Sequence, residues 1–255
     1  MGGEISCPKY EQGFFDYIQA GSTASARIIC PILQRWFDFG SVLDVGCGQG
    51  AWCKVWADIG VGHVCGVDGD YVDLDKLLIA RSQFSSQDLS QAFELSRRFD
   101  LVVSLEVAEH IPESSAEVFV DNLVKRGDIV LFSAAVPGQG GLYHVNEQPL
   151  EYWRRLFAAR GYRSFDPIRP LIARNHRVEP WYRYNALLYV ADAAVAQLPP
   201  EVLATEMSKG TAIPERASPL WRLRNGIIAH LPGSVARQLV RAKHLWGIWR
   251  AKHAA

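Results

Sequence analysis

Five carboxylates, two histidines and a run of glycines carry the chemistry that this chain of 255 residues could perform. In Asp44-Val45-Gly46-Cys47-Gly48-Gln49-Gly50 three glycines alternate with other residues directly after a short apolar run. Glycine lets backbone approach a ligand closely, and a helix opening behind the loop offers free N–H groups. Gly46-x-Gly48-x-x-Ala51 also meets the loose dinucleotide pattern, so the glycines alone do not separate a nicotinamide cofactor from other nucleosides. The acids do. A carboxylate at Asp44, two residues before the first glycine, would repel a pyrophosphate but can accept hydrogen bonds from an ammonium group. Asp68 lies 22 residues after Gly46 and ends the next apolar run, where a carboxylate can take both ribose hydroxyls. Asp88 follows a third, weaker run and can accept from an adenine amino group.

An amino-acid ammonium, a ribose and an adenine together describe S-adenosylmethionine. A second cluster begins at Glu106-Val107-Ala108-Glu109-His110. If these residues form a helical turn, Glu106, Glu109 and His110 share one face. His144 lies in a glycine-rich stretch further on, and two Glu with two His suit a divalent cation, Mg or Mn. His110 or His144 acting as a general base without metal, assisted by Glu109, is the competing reading, and a packing role is the third.

These residues need a scaffold that brings them to one edge. Apolar runs at 41–45, 63–67, 84–87, 99–105 and 128–134 alternate with helical segments, read at 51–59, 71–79, 114–125 and 149–160. Continuous apolar strands alternating with helices predict a doubly wound, mostly parallel α/β sheet with both faces covered. Ligands of such sheets sit at the carboxyl ends of the strands, where each residue named above falls. Residues 14–20 and 22–37 read as two helices, the second kinked near Pro31. Phe165–Ile168 and Asn185–Val190 read as the last strands. Asn146 is expected to cap the helix that has Pro149 in its first turn. Trp153, Trp181 and Tyr182 are read as packing residues before substrate platforms.

With these motifs in place, the chain resembles the class I S-adenosylmethionine-dependent methyltransferases over roughly residues 38–192. Asp44-x-Gly46-x-Gly48-x-Gly50 looks like their first motif, Asp68 like their second-strand acid, and Phe99–Pro112 (FDLVVSLEVAEHIP) like the segment after their fourth strand. The resemblance implies a Rossmann-like sheet of seven strands with a reversed last hairpin. It implies that Asp44, Gly46, Cys47, Gly48 and Gly50 hold the cofactor together with Asp68 and Asp88. Gly69 and Leu89 would line the adenosine pocket, and Glu106 would face the cofactor. Glu106-x-x-Glu109-His110 with distal His144 resembles the metal set of small-RNA terminal 2′-O-methyltransferases and of O-methyltransferases of ubiquinone biosynthesis. The stretch from His144, with Trp181-Tyr182-Arg183-Tyr184-Asn185, resembles bacterial methyltransferases linked to glycans or specialised metabolites. The implied reaction is methylation of a hydroxyl on a small molecule, glycan or lipid-linked sugar. An RNA 2′-O-methyltransferase, a non-catalytic scaffold and a nicotinamide-dependent oxidoreductase are the alternatives, the last disfavoured by Asp44.

Composition sets the remaining bounds. Twenty-seven basic residues balance 27 acidic ones, but the balance is a cancellation. Residues 216–255 contain eight Lys and Arg and no acid, leaving 19 basic and 27 acidic residues before them. The sequence therefore divides into an N-terminal helical cap (1–37), a cofactor-binding domain (38–192), a linker (193–215) and a basic amphipathic tail (216–255). Phe14, Phe15, Tyr17 and Ile18 of the cap could cover a cleft or pack in the core. The tail, with Ile227, Ile228, Leu231, Val235, Leu239, Val240, Leu245, Trp246, Ile248 and Trp249, suits docking on the acidic body, self-association or an anionic membrane surface better than nucleic acid. The acidic body excludes a protein that grips nucleic acid over its whole surface. Five cysteines with no C-x-x-C fit reduced thiols, and no apolar run is long enough to span a membrane. The expected location is the cytoplasm, with the inner membrane surface within reach of the tail.

Overall fold

The computed structural model describes residues 12–208, 210–231 and 238. Phe14, Phe15, Tyr17 and Ile18 lie in the first helix, but their side chains are outside the described set, as are the tail residues Val235, Leu239, Val240, Leu245, Trp246, Ile248 and Trp249.

Helix α1 (Gln12–Gln34) precedes strand β1 (Ser41–Val45), helix α2 (Ala51–Asp58) and strand β2 (His63–Asp68). Strands β3 (Phe84–Ser86) and β4 (Leu101–Leu105), helix α3 (Ala116–Val124) and strand β5 (Ile129–Ser133) follow. Then come α4 (Leu150–Ala158), β6 (Tyr162–Phe165), α5 (Arg169–Ile172), α6 (Pro180–Asn185), β7 (Leu187–Ala191), α7 (Pro200–Leu203) and α8 (Pro219–Ala229). The seven strands form one sheet in the order β3-β2-β1-β4-β5-β7-β6. β1 to β5 are parallel, and β7 runs antiparallel between β5 and β6. This is the Rossmann-like sheet with the reversed last hairpin that the family resemblance implies.

Side chains that alternate along each strand divide the core into two layers. Val42, Leu101, Val103 and Leu131 meet Ile29 and Leu33 of α1 and Trp52 and Trp56 of α2. Leu43, Val102, Val130 and Phe132 meet Phe119 and Leu123 of α3 and Trp153 and Phe157 of α4. The order of connection reverses between β1 and β4, so their carboxyl ends open a crevice for a ligand there.

Four sequence expectations are corrected. The two N-terminal helices are one, running unbroken through Gly21 and Pro31. Gly21 is a place of close approach and not a break: a Cβ there would lie 2.6 Å from Glu179 Oε1. Residues 71–79 hold only a 3-10 turn, Leu74–Lys76, because the Asp73 side chain accepts from the Asp75 N–H and diverts the backbone from a helical ladder. Asn146 does not cap α4, which starts from Pro149 without a side-chain cap. The described residues of the expected linker 193–215 pack against the body: Met207 N–H donates to the Ser164 carbonyl beside the Phe165–Glu206 bridge, and Val195, Val202 and Met207 are buried. No helix among the described residues is long and apolar enough to cross a membrane.

Candidate active site

The glycine loop leaves the end of β1 in left-handed backbone, with φ of 84° at Gly46, 53° at Gly48 and 86° at Gly50. Such angles penalise any residue with a Cβ. Gly46 has a second reason to be glycine, since a Cβ there would collide with Val107. The loop thus rests directly on the segment that carries Glu106, Glu109 and His110. Cys47 is buried, with its thiol on the Gly48 carbonyl at 3.4 Å.

Asp44 and Asp68 are both buried at the loop's base. The Cys53 thiol lies 3.7 Å from Asp44 Oδ2. Burial first, and repulsion from Asp68 second, push Asp44 up to about 7. Asp68 accepts from Gly48 N–H (2.6 Å) through Oδ2, and from Gly69 N–H (2.7 Å) and the Tyr71 hydroxyl through Oδ1. Burial raises its pKa against the pull of these three donors. A carboxylate offers about four lone-pair directions, so Asp68 keeps capacity for a hydroxyl ligand. Asp88 is exposed and accepts from the Ser90 N–H and hydroxyl, while its neighbour Leu89 packs among Val45 and Val67.

The second cluster forms at the end of β4, but not as one helical face. Only Ala108–His110 make a 3-10 turn, and Glu106 sits at φ 57°. Glu109, His110 and His144 each offer a ligand atom, all within 4.8 Å of one another. Glu106, expected to join them as a metal ligand, stands outside this group. Its left-handed backbone precedes the turn, and its carboxylate accepts from Gln139 Nε2 at 2.6 Å, with Asn185 Nδ2 at 3.5 Å. Burial raises the pKa of Glu106.

Backbone bonds carry His144 to Glu109. The Val145 and Asn146 N–H groups donate to the Glu109 carbonyl at 2.8 and 3.0 Å. Glu147 then fixes the ring. Its Oε1 accepts from His144 Nδ1 at 2.7 Å and from Gly140 N–H at 2.8 Å, and its Oε2 accepts from Gly138 N–H at 2.8 Å. A carboxylate only accepts, so this contact places the proton on Nδ1 and leaves the Nε2 lone pair free, 3.9 Å from Glu109 Oε1. His110 Nδ1 similarly faces the Tyr143 carbonyl at 3.3 Å. His110 is at the rim, yet protein packed round its ring disfavours an imidazolium. With His144 adding to the effect, its pKa falls to about 4. Glu109 is buried, and burial followed by repulsion from Glu106 raises its pKa well above the usual carboxylate range. Its Oε2 has no hydrogen-bond partner. Two free imidazole lone pairs beside an unpartnered buried carboxylate oxygen fit a divalent cation.

Trp153 and Tyr182 are buried in the two layers of the core, and Tyr182 shares a hydrogen bond with Ser22 at 3.0 Å. Sequence reasoning missed Tyr71, Gln139, Glu147 and Asn185 as parts of these networks. Glu147 carries a usable signal, an acid three residues after a candidate histidine. Gln139 and Asn185 carry none, because only the fold brings them to Glu106.

A methyltransferase-domain family model matches residues 22–167, more than half of the chain. A ubiquinone biosynthesis O-methyltransferase of Neisseria meningitidis is 31% identical over 137 residues, which is 49% of this chain and 52% of that protein. The protein of the same name from Pseudomonas syringae pv. tomato is 30% identical over 149 residues, 52% of this chain and 57% of that protein. The chain thus spans about half the length of the curated relatives it matches. A sugar N-methyltransferase from Streptoalloteichus shares the fold with a TM-score of 0.53 at 14% identity, over 75% of this chain and 98% of that one.

Proposed function

The chain belongs to the methyltransferase-domain family, and from that membership we propose that it transfers the methyl group of S-adenosylmethionine to a hydroxyl of a small molecule, glycan or lipid-linked sugar. The observation that carries the reading is the contact between two sites. The glycine loop with Asp44 and Asp68 lies against Val107, in the segment that presents Glu109 and His110 beside His144. A cofactor held on the loop would therefore lie next to groups able to prepare an acceptor.

Asp44 would take the ammonium, Asp68 the ribose hydroxyls and Asp88 the adenine, with Gly46, Cys47, Gly48, Gly50, Gly69, Leu89 and Glu106 around them. S-adenosylmethionine is already an activated electrophile, so the enzyme's task is to align a nucleophile with the methyl group and remove its proton. His144 and His110 each keep an Nε2 lone pair for that proton, and Glu147 holds the His144 ring in place. Where Glu109, His110 and His144 instead give those lone pairs to a divalent cation, Mg or Mn, the cation would lower the pKa of the acceptor hydroxyl and its proton would leave to solvent.

The test combines titration with S-adenosylhomocysteine and methyl transfer to fractions of a bacterial extract, with and without chelator. Binding, transfer to an oxygen and loss of transfer on chelation are expected. Glu147→Gln is expected to slow transfer about 10–100-fold, as for groups that orient a functional histidine, with S-adenosylhomocysteine affinity unchanged. Absence of binding would overturn the function, and full activity in chelator would remove the cation.

A further inference from the structure

Helix α8 holds Trp221, Arg224 and Asn225 against the body and leaves a row of apolar side chains outside. On the inner side Arg224 donates to the Gln139 carbonyl at 2.8 Å and Asn225 is buried. The Asn225 carbonyl comes so near Gly138 that a Cβ there would collide with it. On the outer side Leu220, Leu223 and Ile227 are 76%, 63% and 55% exposed. Their spacing of three and four residues places them on one face. A helix docked on a protein body ordinarily buries such a face.

The charge around this row indicates what covers it. Arg222 and His230 line the shallow outer groove together with Leu223 and Ile227; the lining itself has no acid, and Glu215 meets Arg222 at 3.8 Å from outside it. The chain then continues through residues 232–255, which add five Lys and Arg, two Trp and no acid. A second copy meeting this face about a two-fold axis would set arginine-bearing surfaces against each other. The following segment folding back would likewise add positive charge to positive charge. An anionic surface with an apolar interior meets both requirements. The rest of the chain, with 27 acids against 19 bases, is repelled by such a surface, so contact is confined to α8 and the residues beyond it.

We propose that the outer face of α8 docks on an anionic lipid membrane, with Leu220, Leu223 and Ile227 in the interface and the basic side chains on the headgroups. Because the inner face of α8 holds the loop that carries Gln139, docking sets the membrane beside the loop whose Gln139 donates to Glu106. Membrane binding is independent of the proposed reaction and is read on the protein alone.

Flotation of the full chain with vesicles tests it, comparing phosphatidylcholine with mixtures containing about a third phosphatidylglycerol. Binding to the anionic vesicles alone, weakened by salt, is expected. The double variant Leu223→Glu/Ile227→Glu removes two exposed apolar side chains and is expected to weaken vesicle binding roughly 100-fold. Its melting temperature and S-adenosylhomocysteine affinity should not change. No binding to anionic vesicles at low salt would overturn the proposal. So would undiminished binding by the double variant, or a dimer in sedimentation velocity that the double variant dissociates.

Discussion

In the proposed site, the buried acid Asp44 would couple cofactor binding to pH. Its folded pKa of about 7 lies above the unfolded value of 3.8, so the folded chain favours the protonated form. The stability this contributes is present below about pH 4 and is lost as pH rises toward 7. An ammonium placed on Asp44 reverses the preference by favouring the carboxylate. S-adenosylhomocysteine should therefore bind about 10-fold more tightly at pH 8 than at pH 6. Near pH 6 binding should release close to one proton, read from heats in buffers of different ionisation enthalpy. Unchanged proton release in Asp44→Asn would assign that proton to another group. The role proposed for Asp44 rests on its place two residues before Gly46. Its pKa was not, because the shift comes from burial and from Asp68, which only the pairing of β1 with β2 brings near.

At the scale of elements, the turns carry more of the site than the helices. The alternating apolar runs made the parallel part of the sheet readable, since a strand buried on both faces has a plain signature, while the reversed hairpin came from the family resemblance. The turn after β4 was not readable in the same way. Glu106, Glu109 and His110 fit a helical face by spacing, but the φ of 57° at Glu106 separates it from the other two. Gly46 and Gly48 make the importance of such turns measurable. Gly46→Ala forces a Cβ into both a left-handed angle and Val107, and should cost about 1–3 kcal/mol in urea unfolding. It should also slow methyl transfer, because Val107 leads into Glu109 and His110. Gly48 has the same backbone need but nothing within 4 Å of a Cβ. Gly48→Ala should cost roughly 1 kcal/mol in stability and instead weaken S-adenosylhomocysteine binding, since it fills the space the loop leaves for a ligand. Equal destabilisation by the two would show that the contact with Val107 is not what fixes the loop.

Across the whole molecule, the zero net charge conceals an acidic body joined to a basic C-terminal region, a division plain in the sequence. How the two are joined was not plain, because the Ala-, Pro- and Glu-rich residues between them read as a free linker. Asp166 and Arg169 form the join. Arg169 is 1% exposed and donates to both oxygens of Asp166 at 2.8 and 2.9 Å. It also donates to the carbonyls of Tyr184 on α6 and Pro214 on the connecting stretch. Arg216 reaches the same Asp166 carboxylate at 3.2 Å, and Arg154 of α4 donates to the Thr211 carbonyl at 2.6 Å. Removing one partner of a buried pair leaves the other charge without compensation, which costs more than the pair itself contributes. Asp166→Asn is therefore expected to destabilise the protein by about 3–5 kcal/mol. Arg216→Gln, at the more exposed contact, should cost about 1 kcal/mol or less. The double change Asp166→Leu/Arg169→Met should recover only part of the loss, because it removes both buried charges but leaves the Tyr184 and Pro214 carbonyls without their donor. Denaturant unfolding of the three variants measures this. A cost below that of Arg216→Gln for Asp166→Asn would show that the C-terminal region is held by its backbone contacts along β6, and that the buried pair is incidental to the join.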